Sequence, residues 1–178
     1  MNPTRRMPLF IITGASCVGK STMCEMLFQN EEKYIVMEGD ILWNNLYNTP
    51  DDDYRGYREL WMRVCKNISQ IGMPVVLCGC ATPKQFECCD ERKNFTDIHY
   101  LALVCDNGVL EKRLTAQRGV TDENWIRSSI EFNVWLKDNA EKTNPAIYLL
   151  DNSKLSPKEA AEIADRWICE HMELDGRR

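Results

Sequence analysis

One run of this sequence combines the residue types that chemistry on a phosphate chain requires. Gly14-Ala15-Ser16-Cys17-Val18-Gly19-Lys20-Ser21 satisfies the pattern G-x-x-x-x-G-K-[ST]. The apolar stretch Leu9-Phe10-Ile11-Ile12 comes just before it, and a helical pattern carrying Met23, Met26 and Leu27 comes just after. Glycines at both ends let the backbone curl until successive N–H groups converge on phosphate oxygens, and a helix starting near Lys20 adds its positive end. Lys20 is then the cation that neutralises the β- and γ-phosphates of a nucleoside triphosphate. Ser21 ligates Mg²⁺, and Thr22 helps to hold the α-phosphate. ATP with Mg²⁺ is the expected ligand pair, cradled by Gly14, Ala15, Ser16, Cys17, Val18, Gly19, Lys20, Ser21 and Thr22.

Two large classes of triphosphate-binding proteins are disfavoured by what the chain lacks. A guanine-specific GTPase would carry N-K-x-D for base recognition, and the nearest run here is Asn152-Ser153-Lys154-Leu155. A mechanical or oligomeric ATPase would end a strand in carboxylates, whereas Val75-Val76-Leu77-Cys78-Gly79-Cys80 has none.

The loop needs a sheet to hold it, and the rest of the chain supplies one. Short apolar runs at Leu9–Thr13, Tyr34–Met37, Val75–Cys80, His99–Cys105 and Ile147–Leu150 alternate with helix-period segments. Such alternation predicts an α/β fold with a five-stranded parallel sheet covered on both faces. Tyr57, Leu60, Trp61, Val64, Ile68 and Ile71 form one helical stripe, ended by Gly72 and Pro74. Ser156-Pro157-Lys158-Glu159 opens the last helix as a capping box, and Ala160, Ile163, Ala164, Trp167 and Ile168 form its sheet-facing stripe. The polar stretch Gly119 to Asn124, between two helical patterns, reads as a mobile flap.

Composition sets the outer limits. A chain of 178 residues suits one domain spanning 1–178, since that length buries roughly 70% of its unfolded surface in a single core. The net charge of −5 and the absence of a basic tract argue against a nucleic-acid partner. Nine cysteines without a disulfide framework read as reduced thiols in a cytoplasmic protein. Cys78/Cys80 and Cys88/Cys89 do not match a zinc C-x₂-C pair, and only His99 and His171 are present to complete such a site. Arg5 and Arg6 ahead of Leu9–Ile12 imitate a signal peptide, but the apolar run is too short and leads straight into the glycine motif. No segment approaches the roughly 20 apolar residues that cross a bilayer, so no membrane partner is expected.

With these features, the chain from Leu9 to about Ile168 resembles the small-molecule kinase branch of P-loop proteins, the group with shikimate kinase, gluconate kinase and chloramphenicol phosphotransferase. More loosely it resembles the nucleoside monophosphate kinases. The resemblance implies a P-loop NTPase three-layer sandwich with strand order 2-3-1-4-5, and a short lid near 114–127. It also implies transfer of the γ-phosphoryl group of ATP to a hydroxyl or phosphate of a small molecule, by a monomer or a homodimer. In these kinases the second strand ends in a carboxylate that contacts the acceptor, and Met37-Glu38-Gly39-Asp40 stands at that point here. Asp40 is the implied catalytic carboxylate, which also reaches Mg²⁺ through water, and Glu38 the supporting one. A carboxylate there aligns the acceptor hydroxyl and takes its proton. Asp40 would also serve as cap of a helix beginning at Ile41.

Glu111-Lys112-Arg113-Leu114-Thr115-Ala116-Gln117-Arg118 resembles the lid segment of these kinases, with Arg113 and Arg118 as the arginines that close over the triphosphate. Arg127 reads as a solvated helix arginine. By the same analogy Asp151-Asn152-Ser153-Lys154 lies against the adenine, with Asn152 as the contact. The acceptor pocket is expected from the helix with Arg55, Arg58, Trp61 and Arg63 and from Gly79-Cys80-Ala81-Thr82-Pro83. Gly79-Cys80-Ala81 departs from the Gly-Gly-Gly turn of a shikimate-type site, so shikimate itself is not carried over. A protein that binds ATP and sequesters a ligand or signals, without turnover, is the alternative, and the carboxylate missing from the third strand favours it mildly.

Overall fold

The computed structural model describes residues 6–30, 32–42 and 49–176, so Arg5 and the first residues of the expected 1–178 domain lie outside the described residues. Five strands, β1 (Leu9–Gly14), β2 (Ile35–Glu38), β3 (Val75–Cys78), β4 (Ile98–Val104) and β5 (Ile147–Asp151), form one parallel sheet in the order β2-β3-β1-β4-β5. That is the expected order. The helices are α1 (Lys20–Leu27), α2 (Arg55–Ser69), α3 (Pro83–Glu87), α4 (Asn107–Lys112), α5 (Glu123–Asn139) and α6 (Pro157–Gly176).

The apolar strands face helices on both sides. In β1, Phe10 and Ile12 point into a core with Met23, Leu27, Ala164 and Ile168 of α1 and α6. Leu9 and Ile11 point the other way, toward Trp61, Met62, Cys65 and Leu136 of α2 and α5. Alternation along a strand therefore loads two cores at once, which is why β1 contains no exposed residue. The capping box of α6 forms as expected, with the Ser156 amide donating to Glu159 Oε2 at 2.8 Å and the Glu159 amide to Ser156 Oγ at 3.2 Å.

Two local expectations are corrected. β3 stops at Cys78 and not Cys80, because the buried Thr13 hydroxyl donates to Ala81 O at 2.6 Å and accepts from Ala81 N at 3.0 Å, drawing the chain out of the ladder. The buried stripe of α2 is Arg58, Trp61, Met62, Cys65 and Ser69, rotated from the predicted one. Apolar periodicity could not show that Arg58 and Ser69 join it, and Ile71 lies exposed beyond the helix end. The helix expected from Ile41 would run into 43–48, which lie outside the described residues. Gly39–Leu42 is a 3₁₀ turn, and its Gly39 carbonyl accepts from the Tyr57 hydroxyl and, at 2.9 Å, from the Trp61 indole.

Candidate active site

The phosphate-binding loop hangs between β1 and α1 in a shape that few residues allow. Gly14 has φ +151°, and a Cβ there would approach Leu103 O to 2.7 Å. Gly19 has φ +115°, again the left-handed side of backbone space. The helical ladder opens with Met23 N–H donating to Gly19 O at 3.0 Å, so the amides of Lys20, Ser21 and Thr22 precede it and mark the positive end of α1. Lys20 Nζ arches back along the loop to Gly14 O at 2.8 Å and Ala15 O at 2.9 Å. The Ser21 hydroxyl donates to Glu38 Oε1 at the end of β2. A cleft of about 360 Å³ opens over the loop, lined by Lys20, Ser21, Glu38, Asp40, Arg113 and Arg118 among others.

A polar clamp supports the loop from behind. Val18 O accepts from Asn152 Nδ2 at 2.7 Å and from Arg113 Nη1 at 3.0 Å, and Arg113 Nη1 also donates to Asn152 Oδ1 at 3.2 Å. Asn152 is buried, and its own amide donates to Val104 O at 2.9 Å. Asn152 also lines a side cavity of about 260 Å³ together with Thr22, Arg113, Gln117 and Pro157. Arg113 opens a π-helical turn, Arg113–Gln117, closed by Arg118 N–H to Arg113 O at 3.1 Å.

Arg118 follows that turn, with Nη1 3.9 Å from Cys17 Sγ and its guanidinium 5.9 Å from the ring centre of Trp125. The segment predicted as a flap is short. Val120 N–H donates to Leu114 O at 3.0 Å with the side chain buried, and Asp122 caps α5 through Asn124 N at 2.8 Å. Arg127 pairs with Asn124 Oδ1 at 2.7 Å and stays in solvent, as read from the sequence.

Beside the cleft lies a larger cavity of about 960 Å³. Arg58, Trp61 and Gly79, which the sequence reading puts around the acceptor, line it. Arg55 and Arg63 do not: they turn outward to Glu59 and Asp90, and to Glu91. A further wall comes from α5, where Trp125, Phe132 and Trp135 enter the lining. Their spacing of seven and three residues puts them on one helical face, a signal present in the sequence that points to these residues. Trp125 Nε1 donates to Ser16 Oγ at 3.1 Å. Ser16, Asp40, Gly79, Cys80 and Trp125 line both cavities, so the two share a wall.

The donor set suits a hard cation. Ser21, Glu38 and Asp40 offer only oxygen, and among the described residues no cluster of three His, Cys, Asp or Glu could hold a metal by itself. Mg²⁺ fits such a place, because it keeps several waters and takes one or two protein oxygens plus phosphates. Cys78 also lines the cleft, and its hydrogen bond with Cys24, together with burial, holds its thiol protonated.

No protein-family model matches the sequence, and no curated relative does. Among solved structures, a gluconokinase from Sinorhizobium meliloti superposes with TM-score 0.68 at 17% identity, over 96% of this chain and 99% of that one. A sugar kinase from Janibacter sp. gives 0.66 at 16% identity, over 92% and 95%. Shikimate kinase from Acinetobacter baumannii, in complex with shikimate, gives 0.60 at 11% identity, over 94% and 96%. The chain has the P-loop kinase fold. Within that fold the cleft and the larger cavity both sit beyond the carboxyl ends of β1, β2 and β3, beside the central strand from which the chain leaves in both directions, where open α/β sheets place their ligands.

Proposed function

We propose that the chain is an ATP-dependent small-molecule kinase, which moves the γ-phosphoryl group of ATP to a hydroxyl or phosphate of a small acceptor. One observation carries this reading: the phosphate cleft and the larger cavity share a wall, and Asp40 stands in it. A binding protein needs one pocket, whereas a transferase needs two that meet at a group able to take a proton.

The residues divide the work accordingly. Loop amides from Ser16 to Thr22 and the Lys20 ammonium grip the triphosphate, and the Asn152–Val18–Arg113 clamp keeps the loop in shape. Ser21, with Glu38 behind it, would hold Mg²⁺, which offsets charge on the β- and γ-phosphates. Asp40 aligns the acceptor hydroxyl and takes its proton while the acceptor oxygen bonds to phosphorus, the bridging bond to the β-phosphate breaks, and ADP leaves. Arg118, held over Trp125, is placed to meet charge spreading on the transferring group, with the stretch around 114–127 as its short lid. The side cavity at Thr22, Gln117, Asn152 and Pro157 takes the adenine. Nine unbonded cysteines support a reducing compartment such as the cytoplasm.

A coupled ADP-release assay with MgATP, run against nucleosides, nucleotides, sugars, sugar acids and aminocyclitols, tests the reading. Acceptor-stimulated turnover is expected. Tight ATP binding with no acceptor-dependent turnover across the panel would replace the kinase by a sequestering or signalling protein.

A further inference from the structure

The acceptor cavity differs in character from a site built for a polyhydroxy acid. Its volume of about 960 Å³ is at the upper end of the roughly 300–1,000 Å³ typical of sites for drug-sized ligands. Its walls are aromatic, with Tyr57 and Trp61 from α2, Phe86 from α3, and Trp125, Phe132 and Trp135 from α5. Phe132 and Trp135 lie nearly parallel, 12° apart with ring centres at 6.2 Å. Trp125 and Trp135 remain 42% and 38% exposed, and large aromatics left open around a cavity mark a surface that awaits an apolar partner.

Charge points the same way. Among the described residues lining the cavity, Arg58 is the one cation, against two carboxylates, Asp40 and Asp53. Arg58 Nη2 is already engaged with Asp53 Oδ2 at 3.3 Å, and Asp53 is held in place by Gln85 Nε2 at 2.9 and 3.0 Å. An acidic acceptor would meet a wall with two carboxylates against one cation, and that cation is shared with Asp53. Arg58 Nε is buried and has no hydrogen-bond partner among the described residues, so one donor of that guanidinium stays open.

We propose that the acceptor is a neutral or cationic hydroxyl compound with a flat aromatic body, stacked between the α2 and α5 walls with its hydroxyl at Asp40. This rests on the kinase reading for the word acceptor, but the ligand class can be tested by binding alone. Phenyl β-glucopyranoside and methyl β-glucopyranoside share one sugar frame and differ in the aromatic ring, and gluconate is an open-chain polyol that brings the carboxylate. Calorimetry on the full chain should rank them in that order, with the phenyl ring worth about tenfold or more. Gluconate binding most tightly, or phenyl and methyl glucosides binding alike, would overturn the proposal. Trp135→Ala should erase most of the ring preference while leaving ATP affinity in place. Asp53→Asn, tolerable at the left-handed φ of 52°, should free Arg58 and improve gluconate binding about tenfold. A ring preference that survives Trp135→Ala, or an Asp53→Asn chain no better for gluconate, also counts against it. A ring preference without ADP release from any aromatic alcohol would leave this pocket assignment standing and remove the kinase reading alone.

Discussion

The indole N–H of Trp125 donates to the hydroxyl of Ser16 across 3.1 Å, which ties the first turn of α5 to the tip of the phosphate-binding loop. The face of the same ring carries the Arg118 guanidinium. The wall of the larger cavity, the loop and Arg118, the proposed lid arginine, therefore meet at one side chain. Trp125→Phe keeps the ring and drops the donor, so kcat should fall by about fivefold to tenfold, the worth of one neutral hydrogen bond, with acceptor KM nearly unchanged. A rise in KM alone would reduce Trp125 to a wall residue.

Lys20 brings the charge of the loop. Lys20→Ala should weaken ATP binding by about tenfold to a hundredfold, the range of a charge-assisted hydrogen bond lost. Titration with a fluorescent ATP analogue reads this directly, and unchanged affinity would refute the anion nest.

Asp40 is asked only to handle a proton and align a hydroxyl. Asp40→Asn should retain the ATP dissociation constant while acceptor-stimulated ADP release drops by about a hundredfold or more. Near-normal turnover in that variant would move the role to Glu38.

Asn152 bridges Val18 and Arg113 from a buried position. Asn152→Ala leaves a loop carbonyl with one donor fewer and should cost about 1–3 kcal/mol. At roughly 2–4 °C per kcal/mol for a domain of this size, the melting temperature should fall measurably without nucleotide, and saturating ATP should restore part of it. A melting curve identical to that of the parent chain would show that the clamp is ornamental.

Alkaline pH should destabilise the fold. Burial pushes the Cys65 thiol from 9.0 up to about 12, the Cys89 thiol to about 11, and the Tyr57 phenol from 10.0 to about 12. In the unfolded chain these groups lose their protons at ordinary values, so between about pH 9 and 12 the native state binds more protons and stability falls as pH rises. Urea midpoints at pH 7.5, 9 and 10.5 should decline in that order, and a flat profile would contradict the assignment.

Much of this architecture is legible in the residues themselves. Leu9–Ile12 running into the glycine motif announces both β1 and the loop, and Ser156 with Glu159 announces α6, because those signals are local. The clamp is not legible, since Asn152 and Val18 are 134 residues apart and only the β1-β4-β5 pairing brings them together. Thr13 likewise looks like any strand threonine until Ala81 is seen against it. The aromatic face of α5 was readable by period, but its destination depends on how the helix lies on the sheet. The bonds at the turn before Asp40 were not readable, because Tyr57 and Trp61, which donate to its Gly39 carbonyl, come from another element.

The partition of duties among secondary elements has an evolutionary corollary. In the proposed kinase the triphosphate would be gripped by β1, α1 and the residues after β5 and the acceptor stacked by α2 and α5, so exchanging Phe132 or Trp135 would retune selectivity without touching the donor half. A scaffold arranged in this way can drift between chemically unrelated customers while its energy source stays constant.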